Sequence, residues 1–177
     1  LQKINTTVFK DPDKLMSNIV AVTSHIRKKN EELNVPWADR GTLTFYPCND
    51  GKYYYIDDND NCWRVYGYIG DVYTCNAIDS LEVFENAGVA FGEFQNILAD
   101  FDGASLYETI ENFHNTVSRF ADFKKAVIEN KSGRLDTVKE EVEFAIAREK
   151  DTHVLVDMIE DGKLPLRVTH NDTKLNN

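Results

Sequence analysis

A short apolar run, Leu164 to Val168, stops abruptly at a cluster of polar groups: His170, Asn171, Asp172, Asn176 and Asn177. A run of that length bounded by turn-forming residues reads as a buried strand. The chain must then deliver an imidazole, a carboxylate and several amides to one loop. Asn, Asp and Thr also favour ordinary turns, so the informative feature is the spacing, His170-x-Asp172-x-x-x-x-Asn177.

That spacing has a chemical rationale. Phosphoryl transfer asks little covalent chemistry of a protein, but an aspartate must orient the acceptor hydroxyl and take its proton. Asp172 fits that role. Five residues on, the amide oxygen of Asn177 can bind a Mg²⁺ ion bridging nucleotide phosphates. His170 is expected to brace the loop through its ring nitrogens.

The string Thr169 to Asn177, THNDTKLNN, resembles the catalytic loop of bacterial N-acetylhexosamine 1-kinases, a branch of the aminoglycoside phosphotransferase and choline kinase superfamily. Similar to the same branch are LQKINTTVFKDPDKLMSNI at 1–19, WRVYGYI at 63–69, and AGVAFGEFQNILADF with ETIENFHNTVSRF between 87 and 120. Nearly the whole chain is covered. The resemblance implies an α+β, protein-kinase-like two-lobed fold, present in part. Residues 1–70 would be the remainder of a nucleotide-binding small lobe, an antiparallel sheet with one helix. Residues 71–177 would begin a mostly helical large lobe ending in the catalytic loop. It also implies ATP and Mg²⁺ as cofactors and the anomeric hydroxyl of an N-acetylhexosamine as acceptor. A chain of 177 residues beginning with Leu1 is short for such an enzyme. A phosphate loop before Leu1 and a second metal ligand after Asn177 are therefore expected.

A formal charge of −10 argues against a nucleic-acid partner, which requires a basic face. Cys48, Cys62 and Cys75 are scattered, without the spacing of a zinc site or a disulfide framework. No apolar run approaches the roughly 20 residues of a membrane span, and no signal pattern opens the sequence. These features together suit a cytoplasmic protein without a membrane partner; oligomeric state is left open.

Taken in order, residues 1–9 read as a strand. Two roles are open to Lys3: contact with nucleotide phosphates, as the resemblance implies, or a solvated strand lysine. Asp11-Pro12 signals a helix start, and Leu15, Ile19, Val22 and Ile26 recur on one face. The middle of this helix has no acid to pair with Lys3. Three strands follow, at 42–46, 52–56 and 62–69, read as a meander joined through Asn49-Asp50-Gly51 and through the acidic turn 57–61. That turn lacks the glycine and terminal glutamate of an EF-hand loop and is read as a solvated hairpin. By position just after the third strand, the resemblance assigns Tyr68 and Ile69 to nucleotide contact through their backbone.

From 80 to 101, Phe84, Ala87, Phe91, Phe94 and Leu98 form a helical stripe, with Gly88 and Gly92 spaced to admit a close neighbour. His114, Asn115 and Arg119 have two readings, a sugar-binding cluster or a polar elbow between helices. Further helices are expected at 117–129 and within 134–160, with a break near Lys150. A neutral sugar acceptor suits the neutral Asn115 and Asn171. The alternatives are another alcohol, such as an aminoglycoside, choline or homoserine, or a catalytically silent kinase-like binding protein.

Overall fold

Strand β1, Gln2–Ile4, is shorter than the sequence suggests because Asn5 turns the chain. The Asn5 carboxamide oxygen accepts from the Thr7 amide at 3.1 Å, and its carbonyl accepts from the amides of Val8 and Phe9. This is the local competition by which Asn side chains end regular structure. The computed structural model describes residues 1–77 and 80–173. By its contacts the chain divides into two units: residues 1–109 with the segment from Arg167 onward, and residues 110–166.

In the first unit, helix α1 (Pro12–Glu32) begins as expected: the Asp11 carboxylate accepts from the Lys14 amide at 3.1 Å and Pro12 fills the first turn. Met16 and Ile26 are buried on its inner face, with Leu15, Ile19 and Val20 half-buried beside the core. Beyond α1 come β2 (Phe45–Tyr46), β3 (Tyr55–Ile56) and β4 (Cys62–Tyr66). All pairings in the sheet are antiparallel and all are made to β4. β1 lies along one edge, Ile4 opposite Cys62, while β3 and then β2 share the other. The expected meander is therefore corrected, since β2 and β3 pair with successive parts of β4 rather than with each other. Between them Gly51, at φ 84°, closes a tight turn. Tyr54 then turns into the core and donates its hydroxyl to Asp13 of α1 at 2.9 Å, so the ladder resumes only at Tyr55.

Directly opposed residues share a sheet face. Ile4 and Cys62 thus face α1 together, and with Met16 and Tyr54 they make the core of this unit. Arg64, on the same face two residues on, is half-buried: it donates to Gln2 at 2.8 Å and its guanidinium lies over the Phe45 ring. Burial pushes its pKa down.

The turn from β3 to β4 is built on one carboxylate. Asp57 accepts from the backbone amides of Asn59 and Asn61, from the Asn61 carboxamide, and from the Trp63 indole at 2.8 Å. The Trp63 indole and the Asn61 donors hold its pKa far below the usual carboxylate range. A depressed pKa gives stability that is complete above the unfolded value, about 4, and is lost as the pH falls toward the folded one. The stability difference between the protein and Asp57→Asn is expected to be largest at neutral pH and to shrink steadily below about pH 4. Urea titrations across that range check this, and a difference that grows in acid would contradict it.

Ser80 caps α2 (Leu81–Ile97), its hydroxyl accepting from the Val83 amide. Past the helix end, Leu98 is buried and Asp100 meets α1: His25 Nε2 lies 3.1 Å from its carboxylate and Lys29 pairs with it. The aromatic stripe is otherwise half-open, with Phe84 exposed. Among the described residues, a Cβ added at Gly88 or Gly92 would meet nothing within 4 Å.

The apolar run 164–168 is not a strand. No segment among the described residues supplies it a ladder, and a strand without a partner leaves its amides and carbonyls unpaired. Leu166 is exposed. The run is held instead by Arg167, which donates to the Ala99 carbonyl at 3.1 Å.

The second unit is helical: α3 (Thr116–Glu129), α4 (Lys139–Ile146) and α5 (Val154–Glu160), with 3-10 turns at Leu135–Thr137 and Glu149–His153. Asn130 and Gly133, both at positive φ, make the break after α3. Thr116 donates to the Thr152 carbonyl and Lys124 pairs with Glu149, both at 2.5 Å, drawing α3 to the second 3-10 turn. None of its residues is buried. The chain is thus α+β, a small antiparallel sheet with a mostly helical remainder. No helix of the described residues is long and apolar enough to cross a membrane.

Candidate active site

The loop after Arg167 is shaped by contacts at each successive residue. Thr169 donates its hydroxyl to the Asn171 carboxamide oxygen at 2.6 Å. Asn171 adopts φ 59°, a left-handed conformation that Asn tolerates better than most residues. The Asp172 amide then donates to the His170 carbonyl at 2.9 Å and closes a tight turn. Asp172 lies exposed at the end of that turn, after Asn171 at its centre. The Asn171 oxygen takes the Thr169 hydroxyl on one of its two lone pairs.

His170 fastens the loop to α2. Its ring packs edge-on against Phe91 and Phe94, with centroids 5.3 and 5.8 Å away. The bracing expected of the ring nitrogens is supplied here by ring-to-ring packing. His170 and the α2 residues Phe91, Phe94 and Asn86 share a cleft of about 450 Å³ with Tyr73, Thr74 and Cys75, which follow the sheet. The cleft joins segments remote in sequence.

Asn177, the expected metal ligand, lies outside the described residues. Among those residues no group of three His, Cys, Asp or Glu side chains converges to hold a metal ion.

Leaving β4, the Gly67 amide donates to the Thr44 carbonyl at 2.8 Å and the Gly70 carbonyl accepts from Arg40 at 2.5 Å. Between these ties, the backbone groups of Tyr68 and Ile69 have no hydrogen-bond partner among the described residues. The Tyr68 ring is 91% exposed, and Ile69 is half-buried. The pair can therefore offer backbone donors and acceptors to a ligand.

Lys3 is exposed, pairing across the ladder with Trp63 on the face opposite Ile4 and Cys62. It has no ion-pair partner among the described residues, in keeping with the lack of an acid in the middle of α1. The structure does not bring Lys3 into the cleft that holds His170.

His114, Asn115 and Arg119 belong to the second unit and have local partners. The Asn115 oxygen accepts from the Ser118 amide at 3.0 Å and caps α3. Phe113 is stacked between the other two, with the His114 ring edge-on at 4.8 Å and the Arg119 guanidinium 5.4 Å from its centroid. These contacts favour the polar elbow over a sugar-binding cluster. Asn115→Ala is expected to cost about 1 kcal/mol, and Asn115→Asp, which keeps the cap, a few tenths at most. Thermal unfolding distinguishes this role from binding, which would appear in the acceptor KM.

Sequence reasoning missed Arg40 and the attachment of the loop to Phe91 and Phe94. The α2 stripe was a signal for the latter, while nothing in the local pattern around Arg40 points to Gly70. No model of a known protein family matches the chain.

Proposed function

We propose that the protein is an ATP-dependent phosphotransferase of protein-kinase-like, two-lobed architecture that phosphorylates the anomeric hydroxyl of an N-acetylhexosamine. The observation that carries this reading is the cleft in which His170 meets the segment just after the sheet, with Asp172 exposed on the adjoining turn. Asp172 is exposed to solvent, and its amide fixes the turn that carries it.

Asp172 orients the acceptor and takes its proton as the sugar oxygen attacks the γ-phosphorus and the bond to ADP breaks. His170, anchored on α2, sets the height of the loop. The backbone groups of Tyr68 and Ile69 hold the adenine edge. Asn177 would help to hold Mg²⁺ through its amide oxygen, and the ion would neutralise phosphate charge. Most of the rate gain on this reading is positional and electrostatic.

Among the described residues no carboxylate lines the cleft, which suits a neutral acceptor better than an aminoglycoside. Its aromatic rings Tyr73, Phe91 and Phe94 are the one feature that favours a second reading, choline kinase, through cation–π contact. ADP release by the full-length protein with Mg-ATP, measured against N-acetylglucosamine, N-acetylgalactosamine, galactose, choline and an aminoglycoside, separates the two. Turnover with the N-acetylhexosamines supports the first. Turnover with choline alone replaces it, and a protein that binds ATP without turnover on any acceptor would be the silent scaffold.

A further inference from the structure

The loop between α1 and β2 reaches the segment that follows β4 through the Thr44 carbonyl and the Arg40 side chain. Arg40 Nη2 donates to the Gly70 carbonyl at 2.5 Å. The loop that carries it is fastened to α1 on both sides. Before Arg40, the Val35 amide donates to the Asn30 carbonyl at 2.9 Å, and the Arg40 amide to the Trp37 carbonyl at 2.9 Å. After it, Gly41 sits so close to α1 that an added Cβ would lie 2.4 Å from Asn30 Nδ2 and 3.0 Å from the Trp37 ring. Three residues further on, Arg27 of α1 donates to the Thr44 hydroxyl at 2.5 Å.

Gly67–Gly70 is thereby tied at both ends to one loop: Gly67 through the Thr44 carbonyl and Gly70 through Arg40. Only the two residues with unpaired backbone groups lie between. We propose that Arg40 is a positioning residue for the nucleotide, fixing the backbone of Tyr68 and Ile69 for the edge of a purine base. The inference rests on the phosphotransferase reading. It accounts for how a short irregular segment can present donors and acceptors in fixed order without being part of the sheet. Preorganisation of this kind acts on ground-state binding of the nucleotide and leaves the transfer step alone.

The test uses Arg40→Ala and Arg40→Lys in the full-length protein, with Mg-ATP and the best acceptor from the panel. Arg40 is exposed, so both variants should fold. Arg40→Ala is expected to raise KM for ATP about ten-fold, to leave kcat and the acceptor KM within about two-fold, and to speed amide exchange at residues 67–70. Arg40→Lys, whose ammonium can donate to the same carbonyl, should recover part of the loss. Gly41→Ala, which displaces the loop without touching the guanidinium, should shift KM for ATP in the same direction. An unchanged KM for ATP in Arg40→Ala overturns the proposal, as does an equal rise in the acceptor KM. If that happens while the protein still turns over in an Asp172-dependent way, phosphotransfer stands and only Arg40 falls. A protein that neither binds nor turns over ATP sinks both.

Discussion

On the phosphotransferase reading, Asp172→Asn is expected to lower turnover by about 10²–10⁴-fold and to leave the unfolding midpoint and ATP affinity unchanged. The size follows from the role: a side chain that takes the acceptor proton contributes about that much in positioned acid–base catalysis. The selectivity follows from the loop. Its tight turn is closed by the Asp172 amide and the His170 carbonyl, and its attachment runs through His170 to Phe91 and Phe94. Asparagine keeps the amide and the size while removing the basic oxygen. The measurement is kcat by coupled ADP release beside a thermal melt and a nucleotide titration. Near-normal turnover would show that Asp172 is not the base, and a large loss of stability would show that it is a structural residue.

Met16→Ala destabilises the protein by about 2–5 kcal/mol, the range for truncating a buried Leu, Ile or Met to Ala. Met16 is 2% exposed and packs with Ile4, Cys62 and Tyr54. Only six apolar side chains are buried among the described residues, so neighbours have little with which to fill the void. Met16→Leu, which nearly conserves volume, should cost less than about 1.5 kcal/mol. Urea unfolding of both variants gives the comparison. A cost below about 1 kcal/mol for the alanine variant would mean that the contact of α1 with the sheet is not where stability is held.

What could be read from the sequence was mostly local. Asp11-Pro12 announces α1, and the Phe91 and Phe94 stripe announces a helix, because caps and helical periodicity involve residues a few positions apart. The acidic turn was legible as a hairpin, but the convergence of Trp63 and Asn61 on Asp57 was not, since no rule of spacing selects one carboxylate from three. Partners were the main loss. Leu164–Val168 has the composition of a strand, yet composition does not say whether a second strand lies beside it. β2 and β3 looked like hairpin partners because they are adjacent in sequence, whereas β2 pairs with β4 beyond the stretch that β3 covers, and only the β3–β4 hairpin is as expected. Gly88 and Gly92 have the spacing of a close contact, yet among the described residues nothing lies within 4 Å of a Cβ at either. For the candidate site, the H-x-D spacing singles out the loop as a candidate, while its support on α2 and the tie from Arg40 to Gly70 arise only from the folded chain.

The most direct test of phosphotransfer to the anomeric hydroxyl is ³¹P NMR of the product formed by the full-length protein from Mg-ATP and an N-acetylhexosamine. The account predicts a sugar phosphate monoester whose phosphorus couples to the anomeric proton, formed by the protein and absent with Asp172→Asn. A phosphorus coupled to the C6 protons, or a product formed equally by the Asp172→Asn protein, would contradict it.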